Sequence, residues 1–162
     1  MKCLRCGGEM TSGPEDVEYG DAGLPNVTLL GVDVSRCASC GELEVEIPRI
    51  EELHRAIALA VASARARLSG IEVKFLRKYL GYASKDFAGT IGVSQETVSR
   101  WENDKETIGP LADRLLRLMV FRQRPIEEYP TEKLADVAQD PPRRPKIYVR
   151  SIKDIWQAQA AG

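Results

Sequence analysis

The stretch SKDFAGTIGVSQETVSRWENDK, running from Ser84 to Lys105, decides how the rest of the chain is read. Phe87, Ala88 and Ile91 put an apolar stripe on one short helix, and Val98 and Trp101, three residues apart, put another on a second. Gly92 ends the first helix and Val93 points inward from the turn. Ser94 is placed to cap the second helix by accepting a hydrogen bond from one of its free N–H groups. The turn is too tight for a generic helical hairpin. With Val98 and Trp101 committed inward, the second helix turns Gln95, Glu96, Ser99 and Arg100 to solvent. A major groove admits such a helix, because Arg forks onto guanine, Gln onto adenine, and Glu accepts from cytosine. The competing reading is an ordinary hairpin in an all-α core, with a polar face that is simply hydrated.

Outward from this stretch the helical pattern continues on both sides. Ile71 to Leu80 turns Val73, Leu76 and Leu80 inward and Lys74, Arg77 and Lys78 outward, and Gly81 stops it. Gly109-Pro110 opens another helix with Pro at its first position, and Leu111, Leu115, Leu118 and Met119 are expected to form its buried face. GVSQETVSRWEN resembles the helix-turn-helix of the Cro/repressor (XRE) family, where a Ser or Thr cap, a buried aliphatic and an aromatic-Glu pair recur at this spacing. The likeness spans Gly70 to Phe121.

The chain has 162 residues, enough for one ordinary domain or two small ones, and is 43% hydrophobic and 29% charged. No apolar run approaches membrane-spanning length, and MKCLRCGGEM opens the chain without the apolar core of a signal peptide, so the expectation is a cytoplasmic protein with no membrane partner. The net charge of −1 divides unevenly. Residues 1–50 hold four Lys/Arg against nine Asp/Glu, residues 51–124 hold thirteen against nine, and residues 125–162 hold six of each. The basic excess falls with the helix-turn-helix, as phosphate contact requires.

All four cysteines lie in the first forty residues, as Cys3-Leu-Arg-Cys6-Gly and Cys37-Ala-Ser-Cys40-Gly. Each pair forms a knuckle in which two thiolates converge from one turn and the following Gly takes the backbone angle the turn needs. Cys3, Cys6, Cys37 and Cys40 together supply a tetrahedral zinc site with no corner left for an activated water, hence a structural zinc. A redox CxxC, a pair of disulfides and an iron–sulfur centre use the same residues and are the alternatives. His54 reads as a surface histidine rather than a fifth ligand. Val17-Glu-Tyr19, Val27 to Leu30 and Val32 to Val34 alternate as short strands broken by Gly20, Gly23, Pro25 and Gly31. A segment of this size buries little core, so the metal is expected to supply the margin of folding energy.

From Ile50 the period changes: Ile50, Leu53, Ile57, Val61, Ala64 and Leu68 recur every three or four residues with no Gly or Pro before Gly70. This is a long amphipathic helix whose seam serves either core packing or a dimer. Beyond Phe121, five prolines between Pro125 and Pro145 make a loose connector, with a short helix at Thr131 to Ala138. Arg143 to Arg150 is basic and β-prone, and Ile152 to Ala161 has helical character. The tail is a disordered end, a strand added to a partner, or a basic arm on DNA. The expected architecture is therefore α+β and mostly α. A four-cysteine zinc-ribbon-like β domain (1–49) leads through a linking helix (50–69) to a five-helix helix-turn-helix domain (70–122), followed by an extended, partly ordered or partner-binding tail (123–162).

Two CxxCG knuckles, a long helix and GVSQETVSRWEN together resemble the MqsA/YgiT-type antitoxins of bacterial type II toxin–antitoxin modules, over residues 1–121. The resemblance implies a DNA-binding homodimer that represses its own operon and neutralises a cognate toxin by direct binding. It implies base contacts from Glu96 and Arg100, joined by Gln95 at the helix start and Thr97 beside it. Phosphate contacts would come from Ser84, Lys85, Ser99, Asn103 and Lys105. The alternative function is a stand-alone metal- or redox-responsive repressor. An enzyme is not expected, since there is one histidine, no phosphate-cradling loop, no open zinc position and no nucleophile beside a base.

Overall fold

Strand β2, Val27–Cys37, is the axis of the fold. The structure is a computed structural model that describes residues 1–122 and 141–159. On one side β2 pairs antiparallel with β1, Met10–Glu18. On the other side its Cys37 half pairs with β3, Leu43–Val45, and its Val27 half pairs in parallel with β4, Ile147–Ile152. Strand β5, Ile155–Gln159, closes the far edge antiparallel to β4. The alternation of β2 slips once: Val27 and Leu29 are buried, then Val32 and Val34. Gly31 makes the slip with φ 60°, its N–H held at 2.8 Å by Asp16 Oδ1, and the pairing with β1 shifts register there. One bulged strand thus replaces the two short ones that the sequence suggested.

The helices are α1, Ile50–Ser63; α2, Gly70–Tyr79; α3, Ser84–Ile91; α4, Gln95–Glu102; and α5, Pro110–Phe121. Helix α1 lies between layers, touching β4 and β5 on one side and α2 and α5 on the other. A single buried cluster therefore runs from Leu29 and Val149 in the sheet through Ile57 and Val61 to Leu76, Phe87 and Leu116.

This architecture overturns the expected fold class. The chain is an α/β fold with a five-stranded mixed sheet built from both ends of the sequence, not a small zinc ribbon followed by a long helix, a five-helix domain and an extended tail. The stretch read as helical after Ile152 is half of a hairpin. Lys153 and Asp154 both take positive φ, 51° and 60°, the two-residue turn that matches strand twist. Val149 and Trp156 are buried on the same sheet. The helix expected at Thr131 to Ala138 falls outside the described residues.

Helix α1 stops at Ser63, short of the expected span, and Arg117 takes up the carbonyls at and beyond its end. The buried guanidinium donates to the carbonyls of Ala62 at 3.1 Å, Ala66 at 2.6 Å and Ala64 between them. Asp113 receives Arg117 Nε at 2.6 Å and the Leu68 N–H at 2.8 Å. This latch fixes the segment 64–69 in an irregular form. It also turns α5: Asp113 and Arg117 are 0% exposed, whereas Leu111, Leu115 and Leu118, expected inside, are 81%, 37% and 42% exposed. From Gly70 onward the described residues form four helices rather than five.

Candidate functional site

The two knuckles are built alike. Gly7 and Gly41 each take φ 73°, and their N–H groups donate to the carbonyls of Cys3 and Cys37 at 2.9 and 3.0 Å. The Cys3 and Cys37 amides in turn donate to the carbonyls of Gly8 and Glu42, both at 2.9 Å. The first knuckle opens the chain and the second is the β2–β3 turn, so the β1–β2 pairing, with Met10 opposite Cys37, brings them together. Four sulfurs result within 4.8 Å of one another, with Cys3–Cys40 at 3.6 Å and Cys6–Cys37 at 3.4 Å. Tetrahedral thiolates about 2.3 Å from zinc stand about 3.8 Å apart, whereas bonded sulfurs stand about 2.05 Å apart. The donor set therefore fits a closed metal site, and the four residues are compatible with structural zinc.

Their electrostatics agree with that use. The amides of Cys40 and Ser39 point at the Cys37 sulfur and bring its thiol down to about 6. At Cys40 the Glu42 amide also pulls downward, but the Cys6 sulfur, burial and the Cys3 sulfur outweigh it and push the thiol up to about 12. Thiolates this close repel, so full deprotonation needs a cation at their centre. Gly8 is closely packed here as well: a Cβ on it would lie 2.7 Å from Ser39 Oγ and 3.2 Å from Cys37 Sγ, so a larger residue would displace Ser39 beside the sulfur cluster. The doubled Gly after Cys6 was the signal of this close packing.

The second constellation is α3, the turn and α4. Gly92 takes φ 76° and the Thr97 N–H reaches Ser94 Oγ at 3.1 Å, so the turn and cap form as their residue types dictate. Val98 and Trp101 are buried. Gln95, Glu96, Ser99 and Arg100 are exposed, and Thr97 is half-buried with its hydroxyl 3.0 Å from Ser94 Oγ. Arg100 is steered by two partners, Thr97 Oγ1 at 3.3 Å and Glu106 at 3.2 Å. Lys85 and Lys105 are exposed, Ser84 is half-buried at the first turn of α3, and Asn103 is exposed but donates to the Ser99 carbonyl at 2.8 Å. The structure thus gathers Gln95, Glu96, Ser99 and Arg100 on one exposed helix face, with Asn103 and Lys105 at its C-terminal end.

Neither a family model nor a curated protein matches this chain.

Arg77, expected outside, is buried. Its guanidinium clasps Glu102 at 2.5 and 3.2 Å and the Tyr82 carbonyl at 2.6 Å, tying α2 to the end of α4 and to the loop before α3. The α4 face is therefore held on a rigid base. His54 is not a free surface group either, since its Nε2 lies 3.0 Å from Tyr19 Oη. Among the described residues no helix is long and apolar enough to cross a membrane.

Proposed function

We propose that the chain is a sequence-specific DNA-binding regulator with a structural zinc, and that it serves as the antitoxin of a type II toxin–antitoxin module. The observation that carries the DNA-binding part is the capped helix α4. It is anchored by Val98, Trp101 and the Arg77–Glu102 pair, and it offers a polar, apolar-free N-terminal face sized for a major groove. In this reading Gln95, Glu96, Thr97 and Arg100 read base edges, while Ser84, Lys85, Ser99, Asn103 and Lys105 hold phosphates. Helix α5 supports the homodimer such a reader uses on a palindromic operator. Leu111, Leu115 and Leu118 form an exposed stripe at the i, i+4, i+7 spacing of a helix-packing seam. The antitoxin assignment rests on the resemblance of the two knuckles and GVSQETVSRWEN to the MqsA/YgiT type.

Binding of the purified chain to the duplex upstream of its own coding sequence, against an unrelated duplex of equal length, tests the first part. A clear preference with a two-fold-symmetric footprint is expected, and equal affinity for both rejects it. Co-expression with the adjacent gene product tests the second part: the expected result is co-purification and relief of that product's toxicity. The stand-alone metal- or redox-responsive repressor is favoured by one observation, the exposure of Cys6 at the edge of the sulfur cluster. That reading requires DNA affinity to change with zinc or oxidant, whereas a structural site holds it constant.

A further inference from the structure

The strip that would meet DNA carries an acidic excess. From Ser94 to Thr107 the chain holds Glu96, Glu102, Asp104 and Glu106 against Arg100 and Lys105. Glu102 is neutralised inside the fold by Arg77, and Arg100 is shared with Glu106. A duplex presents about one negative charge every 1.7 Å, so such a strip alone is poorly suited to its backbone.

The missing positive charge is supplied from forty residues further along the chain. Segment 141–146 runs without helix or strand into β4, where the Ile147 N–H donates to the Asn26 carbonyl at 2.6 Å and Ile147 pairs with Val27. Just before that anchor, Arg144 Nη2 lies 3.5 Å from Asp104 Oδ2. The other oxygen of Asp104 takes the Gly70 N–H at 2.7 Å, which pins this turn to the start of α2. Asp104 stands between Asn103 and Lys105, at the C-terminal end of α4. Arg143 and Lys146 are exposed and have no partner among the described residues. Pro142 and Pro145 fix their own φ and bias the residues before them toward extended backbone, so the three cations are presented at low entropic cost.

We infer that Arg143, Arg144 and Lys146 form a basic arm that binds duplex phosphates beside the C-terminal end of the recognition helix. The inference rests on the DNA-binding reading above. It makes the tail strand a part of the DNA interface, because the β2–β4 pairing sets where the arm stands. The arm reads no sequence; it adds affinity to any duplex and turns the acidic strip into a net positive one.

The test uses the full chain and a double variant, Arg143→Ala with Lys146→Ala, titrated over about 50 to 200 mM salt with an unrelated duplex and with the duplex upstream of the gene. Loss of two phosphate contacts should make the slope of log K against log salt shallower by about 1.8, so that the affinity deficit on both duplexes is roughly tenfold larger near 50 mM than near 200 mM salt. The thermal midpoint should stay at the wild-type value. Asp104→Asn, which keeps an acceptor for the Gly70 N–H but removes a charge, should bind both duplexes a few-fold more tightly. An unchanged slope and affinity in the double variant, with the wild type binding DNA, overturns the arm and leaves the DNA-binding reading intact. Wild type that binds neither duplex overturns both. A lowered thermal midpoint in the double variant assigns the residues a structural role instead and also overturns the arm.

Discussion

At its Cys37 end, strand β2 shares a small buried cluster with Cys3 and Met10 among the described residues, with Cys40 half-buried beside them; at its Val27 end it belongs to a core that runs through α1 to Phe87 and Leu116. The second region holds its irregular joint with a fully buried ion pair, Asp113–Arg117, whose remaining polar atoms are met by the backbone of residues 62–68. The first region has almost no packing to rely on, and four sulfurs take its place. The two regions therefore draw their stability from different sources. With the structural zinc proposed above, one end depends on a ligand that can be taken away, and the other on contacts that only mutation removes.

The largest effect is expected from removing the metal that the four sulfurs would hold. Structural zinc contributes binding energy on the order of 10 kcal/mol to small sites. A strong chelator, or Cys37→Ser with Cys40→Ser, should therefore open the knuckles completely. Hydrogen exchange should show the Met10 and Cys37 amides losing protection while Leu29, Val149 and Leu76 keep theirs. Loss of protection throughout would mean that the two ends fold as one unit.

Arg117→Met attacks the other end. It leaves Asp113 buried without its partner and strips the carbonyls of Ala62, Ala64 and Ala66 of their donor, so it should cost about 3 to 5 kcal/mol in denaturant unfolding. Adding Asp113→Leu should recover part of that loss. The tail joins the same core through Trp156, whose Nε1 donates to the Pro48 carbonyl at 2.5 Å. Trp156→Phe keeps the ring burial and removes the donor, a loss of roughly 1 to 3 kcal/mol.

The smallest effect sharpens the electrostatic side. Burial pushes the Glu72 carboxyl up, against the Ser69 backbone and hydroxyl hydrogen bonds that favour its charged form. Its folded value lies above its unfolded one. The charge therefore costs stability as pH rises through the folded value, and the cost vanishes as pH falls to the unfolded value. Glu72→Gln keeps an acceptor for Ser69 at 2.7 and 2.9 Å, so it should change stability by about 0.5 kcal/mol or less near neutrality. It should also flatten the pH dependence in the acid range.

What the sequence made legible follows from the range of the interactions. The knuckles, the Gly92 turn, the Ser94 cap and the inward Val98 and Trp101 are set by residues within a few positions of one another, and the structure has them as their residue types demand. The sheet was not legible, because β2 and β4 are separated by more than a hundred residues and Lys153-Asp154 is not a familiar hairpin dipeptide. Periodicity misjudged α5 for a different reason. Leu111, Leu115 and Leu118 make the better apolar stripe, yet Asp113 and Arg117 are the pair that meets the broken end of α1. A charge pair four residues apart normally marks a solvated face. Only the carbonyls left open after Ser63 reverse that expectation, and no residue near α5 announces them. Arg144 and Asp104 meet for the same long-range reason.

The most direct measurement selects bound duplexes from a pool randomised at its centre, using wild type and Arg100→Ala in parallel. Wild type should enrich a two-fold-symmetric sequence, and Arg100→Ala should lose preference at one base position per half-site, a change of about 1 to 3 kcal/mol there. Enrichment of the same sequence by both proteins, or of none by wild type, would contradict the assignment of α4 as the reading helix.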